Sequence, residues 1–315
     1  MSRIYIPHLN PLVFYDPNKV RPAQYQTRHI NEYAFADSQP AWVNPADFWQ
    51  PWQTSDTIPL QFTANYSAIQ VDLVDDIDYR GNSLLALSSL NSYANRYQPG
   101  FYAYQAFMSL ATVAHGSYRV RLTLNNNPNN IRISEKIIVS DNFENTVLLE
   151  YANNRFHGDV LFETGIRFSL RVPGGIDSYD PFSKDVMFED QILNPTQLSS
   201  KPYAQAKLIL GDAQGLPDWV MYKMMWIWSC NDVTVDGKPF AKADGAKWEK
   251  NESEDWKKRG WSMLLREGIN RGSQIFDTTG DPTKKLVVAF NIDGTVFGDI
   301  SSNASSNIIQ IQSVG

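Results

Sequence analysis

Apolar residues recur at every second position over several short stretches of this chain. Ile69, Val71 and Leu73 alternate with Gln70 and Asp72, and Tyr118, Val120, Leu122 and Leu124 alternate with Arg119, Arg121 and Thr123. A strand turns successive side chains to opposite faces, so each stretch predicts a strand with one face in a core and one in water. Ile58 to Phe62, Ile131 to Val139 and Thr146 to Tyr151 extend the series. The cluster Asn125-Asn126-Asn127-Pro128-Asn129-Asn130 supplies a strong turn. Short strands divided by turn signals predict an immunoglobulin-like β-sandwich over 58–152. Gly81 to Tyr104 fits a short helix or loop-linked strands equally well.

Strands resume after Ala152-Asn153-Asn154-Arg155, where a domain boundary is placed, with Asp159 to Glu163 and with Ile166 to Val172. Residues 176–202 carry many Asp, Pro and Ser and read as a long excursion, which in a compact domain is usually functional or ordered by a partner. Gly215-Leu216-Pro217 opens a helix over 217–229, with Pro217 near its first turn and Asp218 at its positive end. Trp219, Val220, Met221, Tyr222, Met224, Met225, Trp226, Ile227 and Trp228 cover nearly its whole circumference. A helix apolar all round must be buried, in the second domain's core or under a partner. Asp236-Gly237 and Asp293-Gly294 each sit between strand-forming runs and predict tight hairpins. Trp261 to Arg266 and Ile308 to Ile311 are further strands, the latter after the polar run Ser301 to Asn307. The whole reads as mainly β: two β-sandwich-like domains, 58–152 and 153–315, with an extended N-terminal arm and one buried helix in the second domain.

The first 57 residues differ from the rest. Pro7, Pro11, Pro17, Pro22, Pro40, Pro45 and Pro51 recur among Tyr5, Phe14, Tyr15, Trp42, Trp49 and Trp52. Proline at that density blocks long helices and central strands, while disordered segments are poor in aromatics. Two readings satisfy both facts. One is an extended arm whose Tyr5, Phe14, Tyr15, Trp42, Trp49 and Trp52 fill a neighbour's grooves. The other is an irregular lead-in packed on its own domain.

Composition narrows function mainly by exclusion. Among the 315 residues, 43% are hydrophobic and 20% charged, so a sizeable core can be buried; the formal charge of -6 favours neither nucleic acid nor an anionic membrane. Aromatics make up 13%, an excess that fits buried partner contacts or a dense β core. The single cysteine, Cys230, cannot form an intramolecular disulfide and follows an apolar run, as an inert buried thiol would. The opening MSRIYIPHLN lacks the apolar run of a signal peptide, so synthesis in a cytoplasm is expected, and no run suits a membrane span.

Catalytic signatures are equally sparse. Neither phosphate-binding glycine loop occurs, nor a G-x-S-x-G elbow. His8, His29, His115 and His157 stand too far apart in sequence for ligand spacing, and no metal or cofactor is expected. Glu150, Glu163, Asp185, Glu189 and Asp190 sit at strand ends or in the excursion, where a glycosidase pair could lie but acidic loop groups are commoner. Trp42, Trp49 and Trp52 could instead offer flat faces to a glycan. Neither spacing favours these readings.

The run Trp52-Gln53-Thr54-Ser55-Asp56-Thr57-Ile58-Pro59-Leu60-Gln61-Phe62 and the strand end Leu148-Leu149-Glu150-Tyr151 resemble those of proteins from phages and prophages of Bacteroidota. So do Phe162-Glu163-Thr164-Gly165-Ile166-Arg167-Phe168 and Leu216-Pro217-Asp218-Trp219. The resemblance spans much of 50–270 and consists of framework patterns. It implies a structural protein of a tail, baseplate or related contractile system, built from β-sandwich modules. On that reading the chain is a virion component, its partners are copies of itself and other virion proteins, and no active-site residue is carried over. A carbohydrate-binding or host-attachment module is the alternative, with a glycosidase ranked after it.

Overall fold

The computed structural model describes residues 3–17, 48–66, 68–87, 90–157, 159–189, 195–211, 215–250 and 258–267, all within one compact unit, Met1–Glu267. Trp42, His29, Asp190, the Asp293-Gly294 hairpin and the strand at 308–311 lie outside the described residues. The fold is mainly β, with a single α-helix among the described residues.

Two sheets form a sandwich. In the first, Thr57–Ala64 pairs antiparallel with Ile4–Tyr5 on one side and with Tyr102–Ser109 on the other, and Asn91–Ala94 completes it. The second is centred on Gly116–Leu124, which pairs with Ile69–Asp75 along one edge and with Ile137–Ser140 and then Ile131–Ser134 along the other. Phe14–Tyr15 adds to Ile131–Ser134, and Gln50–Gln53 runs parallel to Ile137–Ser140. Ile58, Leu60, Phe62 and Met108 from one sheet meet Val71, Leu73, Val120, Leu122 and Val139 from the other in a shared core. The stretch 81–104 thus resolves into loop-linked strands.

The third sheet closes on itself. Thr146–Ala152, Phe168–Glu189, Pro195–Leu210, Trp261–Glu267, Lys238–Lys242 and Asp232–Val235 pair antiparallel in that cyclic order, the last returning to Thr146–Ala152. This six-stranded barrel encloses Leu149, Tyr151, Phe168, Leu170, Leu208 and Val235. Its Asp236-Gly237 turn follows the sequence reading: Asp236 has φ 49° and Gly237 φ 77°, the positive values a two-residue hairpin demands. The boundary expected at residue 152 falls earlier. Strand Thr146–Ala152 belongs wholly to the barrel, so the sheets change between Ser140 and Thr146. Residues 159–163 are not a strand. The backbone of Leu161 is taken by the Gln61 side chain, which accepts from its N–H at 2.8 Å and donates to its carbonyl at 3.2 Å, and a 3-10 turn, Phe162–Thr164, follows.

The helix, Asp218–Ile227, is shorter than the sequence implies at both ends. It links Leu210 to Asp232, and both lie at one end of the barrel, where Leu210 pairs with Trp261 and Ala152 with Asp232. The helix therefore lies at that end, with Val220, Met221, Met224 and Ile227 in the barrel core. The opposite end is marked by the pairing of Gln205 with Arg266.

Candidate assembly surface

Most of the aromatics assigned to an arm pack within their own chain. Phe14, Tyr15 and Trp52 are buried, the first and last in the sandwich core and Tyr15 in the barrel cluster. Tyr5, half-buried, lies in the strand beside Thr63 and packs on Phe101 at 5.6 Å. Trp49 tilts onto Phe143 at 6.3 Å. The neighbour-filling arm is corrected here: proline forbids long strands, but two-residue strands suffice for Ile4–Tyr5 and Phe14–Tyr15 to complete sheets of their own chain. With Trp52 fully buried, the glycan face assigned to Trp42, Trp49 and Trp52 loses that member too.

Between those two strands, residues 9–13 bind the sandwich and barrel together through buried polar contacts. The Tyr151 hydroxyl donates to the Leu9 carbonyl at 2.6 Å, and Asn10 exchanges side-chain hydrogen bonds with the backbone of Gln61. Lys223, projecting from an otherwise apolar stretch of helix, donates to the carbonyls of Asn10 at 2.7 Å and Pro11 at 2.8 Å. Glu135 accepts from the Val13 N–H, and the Gln50 amide reaches both Glu135 and the Pro11 carbonyl. Burial drives the Glu135 carboxyl up to about 7 against the pull of Lys223, and drives the Lys223 ammonium down to about 8. Sequence reasoning passed over Lys223; its signal was a lone cation inside an apolar helix, which needs buried acceptors. These groups are fully enclosed, and their geometry is that of a structural clamp.

A second clamp joins the modules at Asp56 and Arg171. The guanidinium donates to both carboxylate oxygens, at 2.7 and 2.9 Å, with both side chains buried. Elsewhere the alternation expected to leave Asp72 in water fails, because Arg121 pairs with it at 3.0 Å and buries it.

The helix is not apolar all round in the buried sense. Tyr222, Met225 and Trp226, spaced i, i+3, i+4 on one face, are 51, 55 and 46% exposed. The Trp226 ring lies 6.5 Å from His8 and 6.0 Å from His157, whose Nε2 shares a 2.8 Å hydrogen bond with Ser229. Cys230, beside this face, is pushed up to about 12 by burial, which leaves it a protonated, unreactive thiol.

The excursion at 176–202 is a β-ribbon. Phe168–Glu189 and Pro195–Leu210 pair from Gly174↔Leu210 out to Glu189↔Pro195, whereas the neighbouring strand accompanies them only as far as Gln205↔Arg266. Beyond that point 181–189 and 195–204 pair only with each other among the described strands, a reach of roughly 30 Å at the usual rise per strand residue. Alternation puts Phe182, Val186 and Phe188 on one face and Asp185 and Met187 on the other. A register shift at Val186/Met187 leaves Leu198 in a bulge. Phe182, Val186, Met187, Phe188 and Leu198 are all about half exposed or more. Asp185 accepts from Ser183 at 2.8 Å and from Gln197 of the opposing strand at 3.2 Å, which ties the two strands together.

The other carboxylates considered in the sequence lie apart. Glu150 accepts from Thr234 at 3.1 Å, Glu163 pairs with Arg96, and Glu189 lies near the ribbon's outer end. Among the described residues, no three His, Cys, Asp or Glu side chains converge as a metal set, and no helix is long and apolar enough to cross a membrane. No protein-family model, curated protein or solved structure matches the chain.

Proposed function

We propose that this chain is a structural component of a phage tail or baseplate, which assembles into a symmetric ring through packing of its β modules. The ribbon is the observation that carries this reading. Half-exposed apolar side chains on both faces of a two-stranded element are unfavourable in water, and a contiguous exposed apolar surface marks an interaction site. The sandwich and barrel beneath it are locked by buried polar clamps, which gives the ribbon a rigid base. Arm exchange, first assigned to the N-terminal aromatics, passes on this reading to the ribbon.

A protein inventory of purified particles by mass spectrometry tests the role. Recovery of the chain at a fixed multiple of the other tail components is the expected result. Its absence from particles that carry complete tails would overturn the proposal.

A further inference from the structure

Among the described residues, the ribbon and the helix each expose a group of apolar side chains, and these two groups lie at opposite ends of the barrel. The helix with Tyr222, Met225 and Trp226 crosses the end where Leu210 meets Trp261, while the ribbon leaves from the end where Gln205 meets Arg266. Strand Pro195–Leu210 runs the whole way between them, so its ribbon portion points away from the helix. Within one copy the two surfaces cannot touch.

We infer that the ribbon of one copy docks on the helix face Tyr222, Met225 and Trp226 of a second copy, head to tail. This rests on the assembly reading above and names its interface. Surfaces at opposite ends of one molecule make a heterologous contact, which closes into a ring or propagates as a filament, whereas an isologous pair would use one surface twice. The extents also match. Phe182, Val186 and Phe188 on one ribbon face and the three helix side chains are each about half uncovered, so together they present roughly 600 Å² of apolar area at the usual size of such groups. Because apolar atoms make up little more than half of an ordinary interface, that area implies a total of roughly 1,000 Å², the size at which specific complexes begin. A ridge of aromatic and thioether groups at helical spacing can enter between the ribbon's side chains, and methionine adapts to such a fit.

Sedimentation velocity of the full chain tests this with two double variants, Phe182→Ser/Phe188→Ser on the ribbon and Tyr222→Ser/Met225→Ser on the helix. All four side chains are about half exposed, and unchanged circular dichroism and melting temperature check the fold of each variant. The wild-type chain is expected to associate as concentration rises, and each variant alone to associate about tenfold more weakly or less. Mixed together, the two variants are expected to form a heterodimer, because the intact ribbon of the helix variant meets the intact helix of the ribbon variant. A wild-type chain that stays monomeric throughout, or a mixture that forms no heterodimer, overturns the inference. If only the ribbon variant loses association, the inference likewise fails, since the helix face is then not the receptor. A tail protein that docks its ribbon on a different virion protein would still appear in the particle inventory, so the two proposals fail separately.

Discussion

The ammonium of Lys223 lies 2.7 Å from the carbonyl oxygen of Asn10, 213 residues away in sequence, and both residues are buried. This contact passes from the barrel's helix to the lead-in that edges the sandwich. Its partner charge, Glu135, holds the same lead-in from the sandwich side through the Val13 N–H. Removing one member of such a set leaves the other buried without compensation. Lys223→Met is therefore expected to destabilise the chain by about 3–5 kcal/mol. The double variant with Glu135→Gln should lose less than the sum of the two single variants, because the stranded carboxylate is gone. Urea denaturation of the four proteins measures the coupling. Strict additivity would mean that the two charges do not sense each other.

The same pair sets a pH dependence. Burial raises Glu135 from 4.5 to about 7, so the folded chain holds that proton more tightly than the unfolded chain does. Its contribution to stability is complete below about pH 4.5 and is lost as pH climbs through 7. Lys223 is depressed from 10.5 to about 8, and its contribution is present above 10.5 and lost as pH falls through 8. Glu135→Gln should remove the decline between pH 4.5 and 7. A variant whose denaturation midpoint still falls with the wild-type slope across that window would refute the assignment.

Arg171 and Asp56 make the second inter-module clamp, in a bidentate geometry that lysine cannot reproduce. Arg171→Met strands a buried carboxylate whose remaining donor among the described residues is the Gln53 N–H, at 2.8 Å. A loss of about 3–5 kcal/mol is expected. Because the clamp joins sandwich to barrel, unfolding followed by tryptophan fluorescence and by circular dichroism should cease to coincide in this variant. Coincident transitions at an unchanged midpoint would show that the clamp carries no coupling.

How much of this was legible in the sequence depended on whether burial imposed a period. Tyr118 to Leu124 and Ile166 to Val172 each keep one face in a core, so their alternation announces strands. Residues 181–189 have no such face. With both sides of the ribbon exposed, no core keeps either side wholly apolar or wholly polar: Met187 shares a side with Asp185 and Ser183, and the strand hid as a loop. The N-terminal aromatics misled for the reverse reason: their proline spacing is that of an arm, yet strands of two residues are enough to seat Phe14 in a sheet. The partners that permit Asp72 and Lys223 to be buried, Arg121 and the carbonyls of Asn10 and Pro11, were illegible because they are distant in sequence. The helix was found, but an apolar circumference does not say which third of it a fold leaves uncovered.

The strand pair that runs out into the ribbon starts at Gly174, at the helix end of the barrel. At Pro173 the strand still pairs with Thr146, and at Gly174 it pairs with Leu210 instead, so the chain changes partner at this residue. Gly174 has φ 148°, and a Cβ there would collide with the Ile209 carbonyl oxygen and come within 3.0 Å of the Leu210 Cα. Both obstacles are backbone of the opposing strand and cannot rotate away. Gly174→Ala is therefore expected to destabilise the barrel by about 1–3 kcal/mol through backbone strain. It should also weaken self-association, since the strand pair that carries the ribbon starts at this residue. Gly100→Ala is the matched control: its φ is also positive, at 85°, but a Cβ there meets nothing within 4 Å. It should carry the strain of a left-handed residue and leave association unchanged. Equal losses of association in both variants, by sedimentation, would show that the strand pairing that starts at Gly174 has no special part in docking.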